Sequence, residues 1–296
     1  MNNLELILDG LMRRYKERVP DVNRVISAMI VEGLIKEEQE IENDHIAFRT
    51  IGVPHLGIQS LEKIFIHHGY TKKDYYYFEE KKLDAYWYAP PDPALPRIFI
   101  SELRVKDLSA AAQRIIHSYT DEVTADPVDA LDLDNPTQVD AFLHSGLWRL
   151  PTYADFSALA AESEYASWTI YNRYYLNHFT ISVHNLNEGY NHIEQYNQFL
   201  EKNGLKLNDA GGKFKKSPDG LLLQSSTVAG MIEATFADGE KHRIAGSYVE
   251  FAERRLLPDY QHLEMAEVRR EHRREGFEAA NANKIFESTY SSQTNK

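Results

Sequence analysis

One pattern occurs twice in this chain, and it limits the folds that the chain can adopt. Each copy opens a strand-like run with an Asp-His or Asn-His pair, continues through a helix-like run and several strand-like runs, and ends on a run that carries a Glu. The first copy runs from His45 to Glu102, and the second runs from His178 to Glu250. The periodicities of these runs predict the order β-α-β-β-β in both copies.

Two such modules predict an α+β fold in which the modules pair to form a curved half-barrel. The first module is predicted over residues 41–105 and the second over residues 173–256. Strand-like runs at 221–226, at 231–236 and from Tyr248 onward are predicted to complete the sheet of the second module.

Three further segments surround the two modules. Residues 1–40 are predicted to form N-terminal helices, because apolar side chains recur there at helical spacing. Residues 106–172 are mostly helical in pattern and predict an inserted cap over the site, since a connector of this length without a role is unusual. Residues 257–296 predict a charged C-terminal helix up to about Arg274 and then a tail that packs on the site.

Composition narrows the classes of function and partner. Acidic residues outnumber basic residues by 45 to 33, which argues against nucleic acid or an anionic membrane surface as a partner. The chain has no cysteine, which excludes disulfides, thiolate metal sites and cysteine nucleophiles and fits a cytoplasmic protein. No apolar run approaches the roughly 20 residues of a membrane span, and the amphipathic N-terminus does not resemble a signal peptide. The sequence leaves the oligomeric state open.

Four titratable side chains occupy corresponding inward positions of the two modules: His45, Glu102, His178 and Glu250. Two His and a carboxylate are the ligand set of an open non-heme iron site. A Glu flanked by apolar residues, as Glu250 is, is costly to bury unless it is paired or bound to a metal. The alternative is that both His are satisfied core residues and that Glu250 pairs with Arg254 or Arg49.

Two other side chains share the predicted inward faces. Arg49 follows His45 by four residues on the same strand face, where its guanidinium fits a carboxylate substrate or else pairs with Glu102. His184 follows His178 by six residues, so strand alternation places both on one face. His184 is then either a group that supports the metal ligands or an exposed residue at the end of the strand. The chain has no Gly-rich phosphate loop, no Gly-x-Ser-x-Gly elbow and no His-Glu-x-x-His helix, which argues against nucleotide chemistry and serine hydrolysis.

Five short motifs, spread from about residue 40 to residue 289, together resemble one family, the 2-oxoadipate dioxygenases/decarboxylases or hydroxyglutarate synthases. They are Asp44-His-Ile-Ala-Phe-Arg49, Phe99-Ile-Ser-Glu-Leu-Arg-Val105, Asn177-His178, Tyr248-Val-Glu-Phe251 and Ile285-Phe-Glu-Ser288. The resemblance implies a vicinal-oxygen-chelate-like fold and a place in lysine catabolism. It also implies an enzyme that uses Fe(2+) and O2 to convert 2-oxoadipate, a 2-oxo dicarboxylic acid, to 2-hydroxyglutarate and CO2.

The resemblance also implies roles for particular residues. It identifies His45, His178 and Glu250 as metal ligands, and His45 and Arg49 as substrate-binding residues. It places Ala280 and Asn281 near the substrate, where the family pattern leads us to expect a Val-Ser pair. Glu102 is then left as a fourth ligand, a supporting group or a partner of Arg49.

The function predicted from the sequence is therefore an Fe(2+)-dependent dioxygenase and decarboxylase of a small 2-oxo acid. Two alternatives remain. The same scaffold supports a metal-dependent hydrolase, lyase or isomerase that uses Zn or Mn, because fold alone does not fix the reaction. It also supports a non-enzymatic module that binds a small ligand without a metal.

Overall fold

A single eight-stranded sheet joins the two modules in the computed structural model, which describes residues 1–296. The strand order is β2-β3-β4-β1-β5-β10-β7-β6, and β8 and β9 form a separate hairpin. The strands are β1 (Asn43–Ile51), β2 (Thr71–Phe78), β3 (Leu83–Ala89), β4 (Arg97–Leu103), β5 (His178–Ser182), β6 (Lys215–Lys216), β7 (Leu222–Ser226), β8 (Met231–Thr235), β9 (Lys241–Ala245) and β10 (Tyr248–Arg254).

Ten helices surround this sheet, and eight of them lie outside the C-terminal tail. They are α1 (Asn3–Arg18), α2 (Pro20–Val31), α3 (Ile58–His67), α4 (Ala110–Thr120), α5 (Pro136–Leu143), α6 (Tyr153–Glu162), α7 (Glu164–Asn172), α8 (Ile193–Lys202), α9 (Ala279–Ile285) and α10 (Ser291–Thr294). None of them combines the length and apolar character that a bilayer crossing needs.

The two modules meet through their first strands at the centre of the sheet. Within the first module β1 runs parallel to β4, with His45 opposite Arg97. Within the second module β5 runs parallel to β10, with His178 opposite Tyr248. Strands β1 and β5 are antiparallel neighbours, so the beginnings of both modules lie side by side.

The second module departs from the predicted strand order. Residues 231–236 were expected in the main sheet, but β8 pairs only with β9, through the turn at Asp238-Gly239. The buried face of this hairpin carries Ala234, Phe236 and Ile244, and these pack against aromatic side chains of the inserted cap. The short strand β6 takes the edge position instead. The prediction was wrong because a strand pattern does not reveal which surface the strand covers.

Residues 257–274 also differ from the prediction, since they contain three short 3-10 turns and no continuous helix. The two ends of this segment pair with each other just beyond β10. Leu257 N–H donates to His272 O at 2.9 Å, and Arg274 N–H donates to Arg255 O at 3.0 Å. These long-range bonds use groups that a helix would bond internally, and Pro258 has no N–H to donate.

One hydrophobic core of 60 buried residues contains side chains from both modules, the N-terminal helices, the inserted cap and the tail. Helix α1 begins at a capping box in which Asn2 and Glu5 bond reciprocally, and α2 begins at Pro20. In the cap, α7 lies over β1, where the Tyr165 hydroxyl bonds the backbone of Thr50. The cap is therefore packed against the strand that carries His45 and Arg49.

Candidate metal centre and substrate cavity

The structure brings His45, His178 and Glu250 together in the interior. The two Nε2 atoms of the His residues lie 3.3 Å apart. The Glu250 oxygens lie 3.5 Å from Nε2 of His45 and 3.1 Å from Nε2 of His178. Two ligand atoms that are each about 2.1 Å from one ion and at right angles to each other lie about 3 Å apart. The spacing of the three side chains therefore fits a single metal ion.

Strand pairing explains why these three residues converge. They lie on β1, β5 and β10, which are consecutive in the sheet. Thr180 of β5 is the register partner of both His45 and Glu250, and its side chain points to the same face as that of His178, two residues earlier. The Thr180 hydroxyl lies 3.1 Å from Nε2 of His45. All three candidate ligands are at most 6% exposed.

The residue before each His fixes the orientation of its ring. Nδ1 of His45 lies 2.8 Å from Asp44 Oδ1, and Nδ1 of His178 lies 3.0 Å from Asn177 Oδ1. Because Nδ1 donates to these oxygens, Nε2 of each ring is left with its lone pair toward the common centre. Burial, with the charges of His45 and Arg49, holds the pKa of His178 well below its usual value, so this ring is neutral and able to bind a metal.

Asp44 is itself held by two buried arginines. Arg254 donates from Nε to Asp44 Oδ2 at 2.6 Å and from Nη2 to Oδ1 at 3.0 Å. Arg97 donates from Nη1 to Oδ2 at 3.2 Å. Burial alone would raise the pKa of Asp44, but these two guanidiniums hold it well below its usual value. Asp44 therefore stays ionised, and together with Glu250 it raises the pKa of His45 against the effect of burial.

Glu250 is oriented by a chain of side-chain amides. Gln224 Nε2 donates to Glu250 Oε1 at 2.7 Å, and Asn281 Nδ2 donates to Gln224 Oε1 at 3.1 Å. Asn281 is buried but does not line the cavity, so it acts on Glu250 through Gln224. Ala280 is exposed at the start of α9 and lies away from the cavity. Ala280, which was predicted to lie near the substrate, is absent from the cavity lining, and Ala282 of the same helix lines the cavity.

Arg49 lies in the same cavity as the three candidate ligands and is 1% exposed. Its Nη1 and Nη2 atoms donate to Thr289 Oγ1 at 2.9 Å and to Phe286 O at 3.0 Å. The guanidinium carbon lies 5.0 Å from the ring centres of both Tyr165 and Trp168 of the cap. Arg49 therefore links the first module to the cap and to the tail.

Three buried polar atoms of the cavity residues have no partner in the protein. They are Nε of Arg49, the hydroxyl of Tyr248 and Nδ2 of Asn177. Buried polar groups in folded proteins are nearly always hydrogen-bonded, so unpaired ones in a cavity indicate a polar ligand or water. Two are obligate donors and the third is a hydroxyl, which suits an oxygen-rich ligand.

Glu102 lies on the opposite face of the sheet from this cavity, contrary to the prediction. Its carboxylate accepts a 2.7 Å hydrogen bond from Ile58 N–H at the start of α3, where it acts as a helix cap. Arg97 is the register partner of His45, so its side chain lies on the same face of the sheet as that of His45. Glu102 follows Arg97 by five residues, and because side chains alternate along a strand, an odd separation places Glu102 on the other face. The position that corresponds to Glu250 is Phe99. Glu102 is neither a fourth ligand nor a partner of Arg49.

His184 also lies outside the cavity, because β5 ends at Ser182 and His184 sits in a 3-10 turn. Its Nδ1 accepts a 3.2 Å hydrogen bond from Arg254 N–H, and burial lowers its pKa to about 3. The ring is buried and not at an exposed strand end. It touches the candidate metal centre only through Arg254 and Asp44.

The sequence analysis missed several residues that complete the site. The ring of Tyr248 stacks on His178 at 4.8 Å, and the ring of Phe277 meets His45 at 4.8 Å. Tyr248 and Arg254 lie at even spacings from Glu250, so strand alternation could have placed both on its face. The approach of Arg97 to Asp44 and the position of Phe277 had no such local signal.

A half-barrel of two β-α-β-β-β modules around a buried His-His-Glu set defines a vicinal-oxygen-chelate-like protein, which confirms the predicted fold class. Residues 7–265 match the family model described as 2-oxoadipate dioxygenase/decarboxylase. The chain belongs to this family, so the resemblance drawn from its motifs is confirmed.

Named relatives and a solved structure agree with this assignment. The chain is 46% identical over 271 residues to the 2-oxoadipate dioxygenase/decarboxylase of Arabidopsis thaliana, covering 88% of this chain and 71% of the relative. It is 47% identical over 261 residues to the Oryza sativa enzyme of the same name, covering 84% and 70%. The crystal structure of the Oryza sativa hydroxyglutarate synthase in complex with 2-oxoadipate has a TM-score of 0.89 at 41% identity, covering 98% of this chain and 93% of that chain.

The same relatives overturn the prediction of a cytoplasmic protein. The Arabidopsis protein is named chloroplastic, and the rice protein is named chloroplastic/amyloplastic. The prediction relied on the absence of cysteine, which reports on redox conditions and does not separate the cytoplasm from other reducing compartments.

Proposed function

We propose that this protein is an Fe(2+)-dependent enzyme that converts 2-oxoadipate and O2 to 2-hydroxyglutarate and CO2. The observation that carries the proposal is the buried set of His45, His178 and Glu250 in one cavity with the unpaired Nε of Arg49. Membership of the 2-oxoadipate dioxygenase/decarboxylase family supports the reaction. The bound 2-oxoadipate in the rice structure supports the substrate.

His45, His178 and Glu250 would hold the Fe(2+) ion. Two His and one carboxylate with open positions are typical of non-heme Fe(II) oxygenases, and the absence of sulfur ligands fits this metal class. Bound Fe(2+) supplies a site for the carboxylate and oxo oxygens of the 2-oxo acid and the redox chemistry with O2 that releases CO2. Asp44, Asn177 and Gln224 keep the three ligands in place through the hydrogen bonds described above.

Arg49 binds the distal carboxylate of the substrate. A guanidinium carries a permanent positive charge, and its fork of donors matches a carboxylate in two hydrogen bonds. The Tyr248 hydroxyl is a further donor in this cavity without a partner in the protein. Holding both ends of the six-carbon acid fixes the reacting end relative to the candidate ligands, and such positioning can account for a large share of a rate enhancement.

The tail closes the cavity and excludes water. Aromatic rings from β4 and the tail line it, namely Phe99, Phe277 and Phe286. The free space between these side chains is about 20 Å³, room for roughly one or two water molecules. The bonds from Arg49 to Thr289 and Phe286 tie the tail to this cavity, and they occupy two donors that would otherwise face a carboxylate.

The experiment is an oxygen-uptake assay after anaerobic loading with Fe(2+), in which 2-oxoadipate is added and 2-hydroxyglutarate and CO2 are quantified. We expect equal amounts of O2 consumed and of both products formed. The His178→Ala variant should lose uptake, whereas the exposed His262→Ala variant should keep it. Products formed without O2, or by zinc-loaded protein alone, would favour a hydrolase, lyase or isomerase and overturn the proposal.

A further inference from the structure

A second cavity, of about 160 Å³, lies beyond Asp44 and is separate from the candidate metal centre. Its lining is dominated by guanidinium groups. Five of the ten lining residues are arginines: Arg97, Arg254, Arg269, Arg270 and Arg273. Glu42 is the one carboxylate among the lining residues. We refer to this space as the arginine cavity.

The positive charges of the arginine cavity are only partly balanced. Arg97 and Arg254 pair with Asp44, and Glu275 pairs with Arg97 and Arg270. Arg269 and Arg273 make no ion pair, and Arg273 donates instead to the carbonyl of Arg254 at 2.8 Å. Five guanidiniums against the three carboxylates of Asp44, Glu275 and Glu42 leave two positive charges.

The arginine cavity also holds a buried donor without an acceptor. Nη2 of Arg270 is buried and has no partner in the protein. His184 is 8% exposed and lines the same cavity. A buried donor beside surplus positive charge is the kind of surrounding that an oxyanion requires.

We propose that the arginine cavity binds a small oxyanion with two negative charges. Such a dianion would balance the two surplus charges and accept from Nη2 of Arg270. The forked donors of arginine suit both tetrahedral oxyanions and carboxylates. At roughly 10–15 Å³ per water position, the volume accommodates a sulfate- or phosphate-sized ion or a short dicarboxylate. None of the candidate metal ligands lines this cavity, although it shares Arg97 and Arg254 with the network that holds Asp44.

The test is isothermal titration calorimetry of the full iron-loaded chain, under anaerobic conditions, with two probes. Sulfate represents tetrahedral dianions and glutarate represents dicarboxylates, and sodium chloride keeps the ionic strength constant. We expect saturable one-site binding of at least one probe, and the tighter one identifies the ligand class. Arg269→Gln and Arg273→Gln should each weaken binding about tenfold, because each removes a charge-assisted hydrogen bond.

Three variants locate the binding and control for folding. Arg269 is exposed, so Arg269→Gln is not expected to disturb the fold even if Arg273→Gln does. Arg114→Gln removes an exposed arginine of α4 that makes no ion pair, and it should bind as the parent does. Arg49→Gln should also keep the binding. The proposal is overturned if neither probe binds, if binding survives Arg269→Gln combined with Arg273→Gln, or if Arg49→Gln alone abolishes it.

Discussion

The two modules place a His at the same position but support it in different ways. In the first module His45 donates to Asp44, a carboxylate held by two arginines, whereas in the second His178 donates to the neutral amide of Asn177. The pKa of His45 is raised and that of His178 is lowered. A repeated pattern therefore carries two electrostatic environments, one built around charge and the other around a neutral amide.

The modules also differ at two other pairs of corresponding positions. The residue four positions after the His is Arg49 in the first module and Ser182 in the second. The position that holds Glu250 in the second module holds Phe99 in the first module. The first module thus contributes the cation of the cavity, and the second contributes the carboxylate of the candidate metal centre. The half-barrel can hold both groups because corresponding positions of its two modules need not carry the same residue.

The largest expected effect comes from removing the anion of the second module. Glu250→Gln takes a charged ligand from the set, and we expect iron affinity to fall more than about 100-fold and O2 uptake to disappear, because ligands matter more than the groups that orient them. Iron content after dialysis measures this. Glu233→Gln, on the exposed hairpin, is the matched control. Full iron content in Glu250→Gln would contradict the assignment of Glu250.

Asp44→Asn makes the first module resemble the second and tests the charged network. Arg97 and Arg254 would stay buried without their shared counter-charge, and breaking such a pair costs about 3–5 kcal/mol of unfolding free energy. Iron affinity should also fall about 10–100-fold. Urea unfolding of the metal-free protein measures the first effect. A loss below about 1 kcal/mol would show that the network is not needed for stability.

Arg49→Lys keeps the charge but removes the fork of donors. We expect the KM for 2-oxoadipate to rise about 10–100-fold, since charge-assisted hydrogen bonds contribute about 1.5–3 kcal/mol each. Uptake with 2-oxobutyrate, which lacks the distal carboxylate, should change little. An equal loss with both acids would mean that Arg49 acts on the fold or on the metal and not on the distal carboxylate.

His184 is predicted to make stability depend on acidity. Its folded pKa of about 3 lies below the usual value near 6.5, so its neutral form stabilises the fold fully above pH 6.5, and this contribution is lost as the pH falls toward 3. Between pH 8 and pH 5 this amounts to about 2 kcal/mol. Urea unfolding at both values should show a smaller drop for His184→Asn than for the parent protein. Equal drops would contradict this.

Asn177→Asp gives the second module the charge of the first, and it has the smallest expected effect. A carboxylate beside Nδ1 raises the pKa of His178, so protons compete with the metal up to a higher pH. The midpoint pH of iron binding should rise by about one unit. Asn177→Ser, which keeps an acceptor but adds no charge, should leave the midpoint in place. An unchanged midpoint in Asn177→Asp would show that the metal masks the difference between the modules.

The repeated pattern was enough to single out His45, His178, Glu250 and Arg49, but it also offered Glu102, and only the family resemblance reduced the candidate ligands to three. Glu102 was misplaced because its face depends on where β4 begins relative to β1, and that register is a long-range property. The bond from Arg254 to Asp44 joins residues 210 positions apart, beyond the reach of any periodicity.

The segments that were misassigned share a physical cause. Residues 231–236 have the alternation of a strand but pack against the cap. Residues 257–274 were predicted to be a charged helix, but their two ends pair with each other just beyond β10. In both, contacts with a distant part of the chain overcome the local preference. The position of Ala280 depends on the rotation of α9, which its short sequence does not define.

The hydrogen bond from Arg49 to Thr289 spans 240 residues, and this separation sets an order of events during synthesis. A ribosome releases the first module long before the tail exists, and the three candidate ligands are complete only after residue 250. Contacts between distant residues form late in folding. Part of the cavity wall is thus made after both modules, and a chain that ends at the first module lacks Glu250 as well as the tail residues of the cavity.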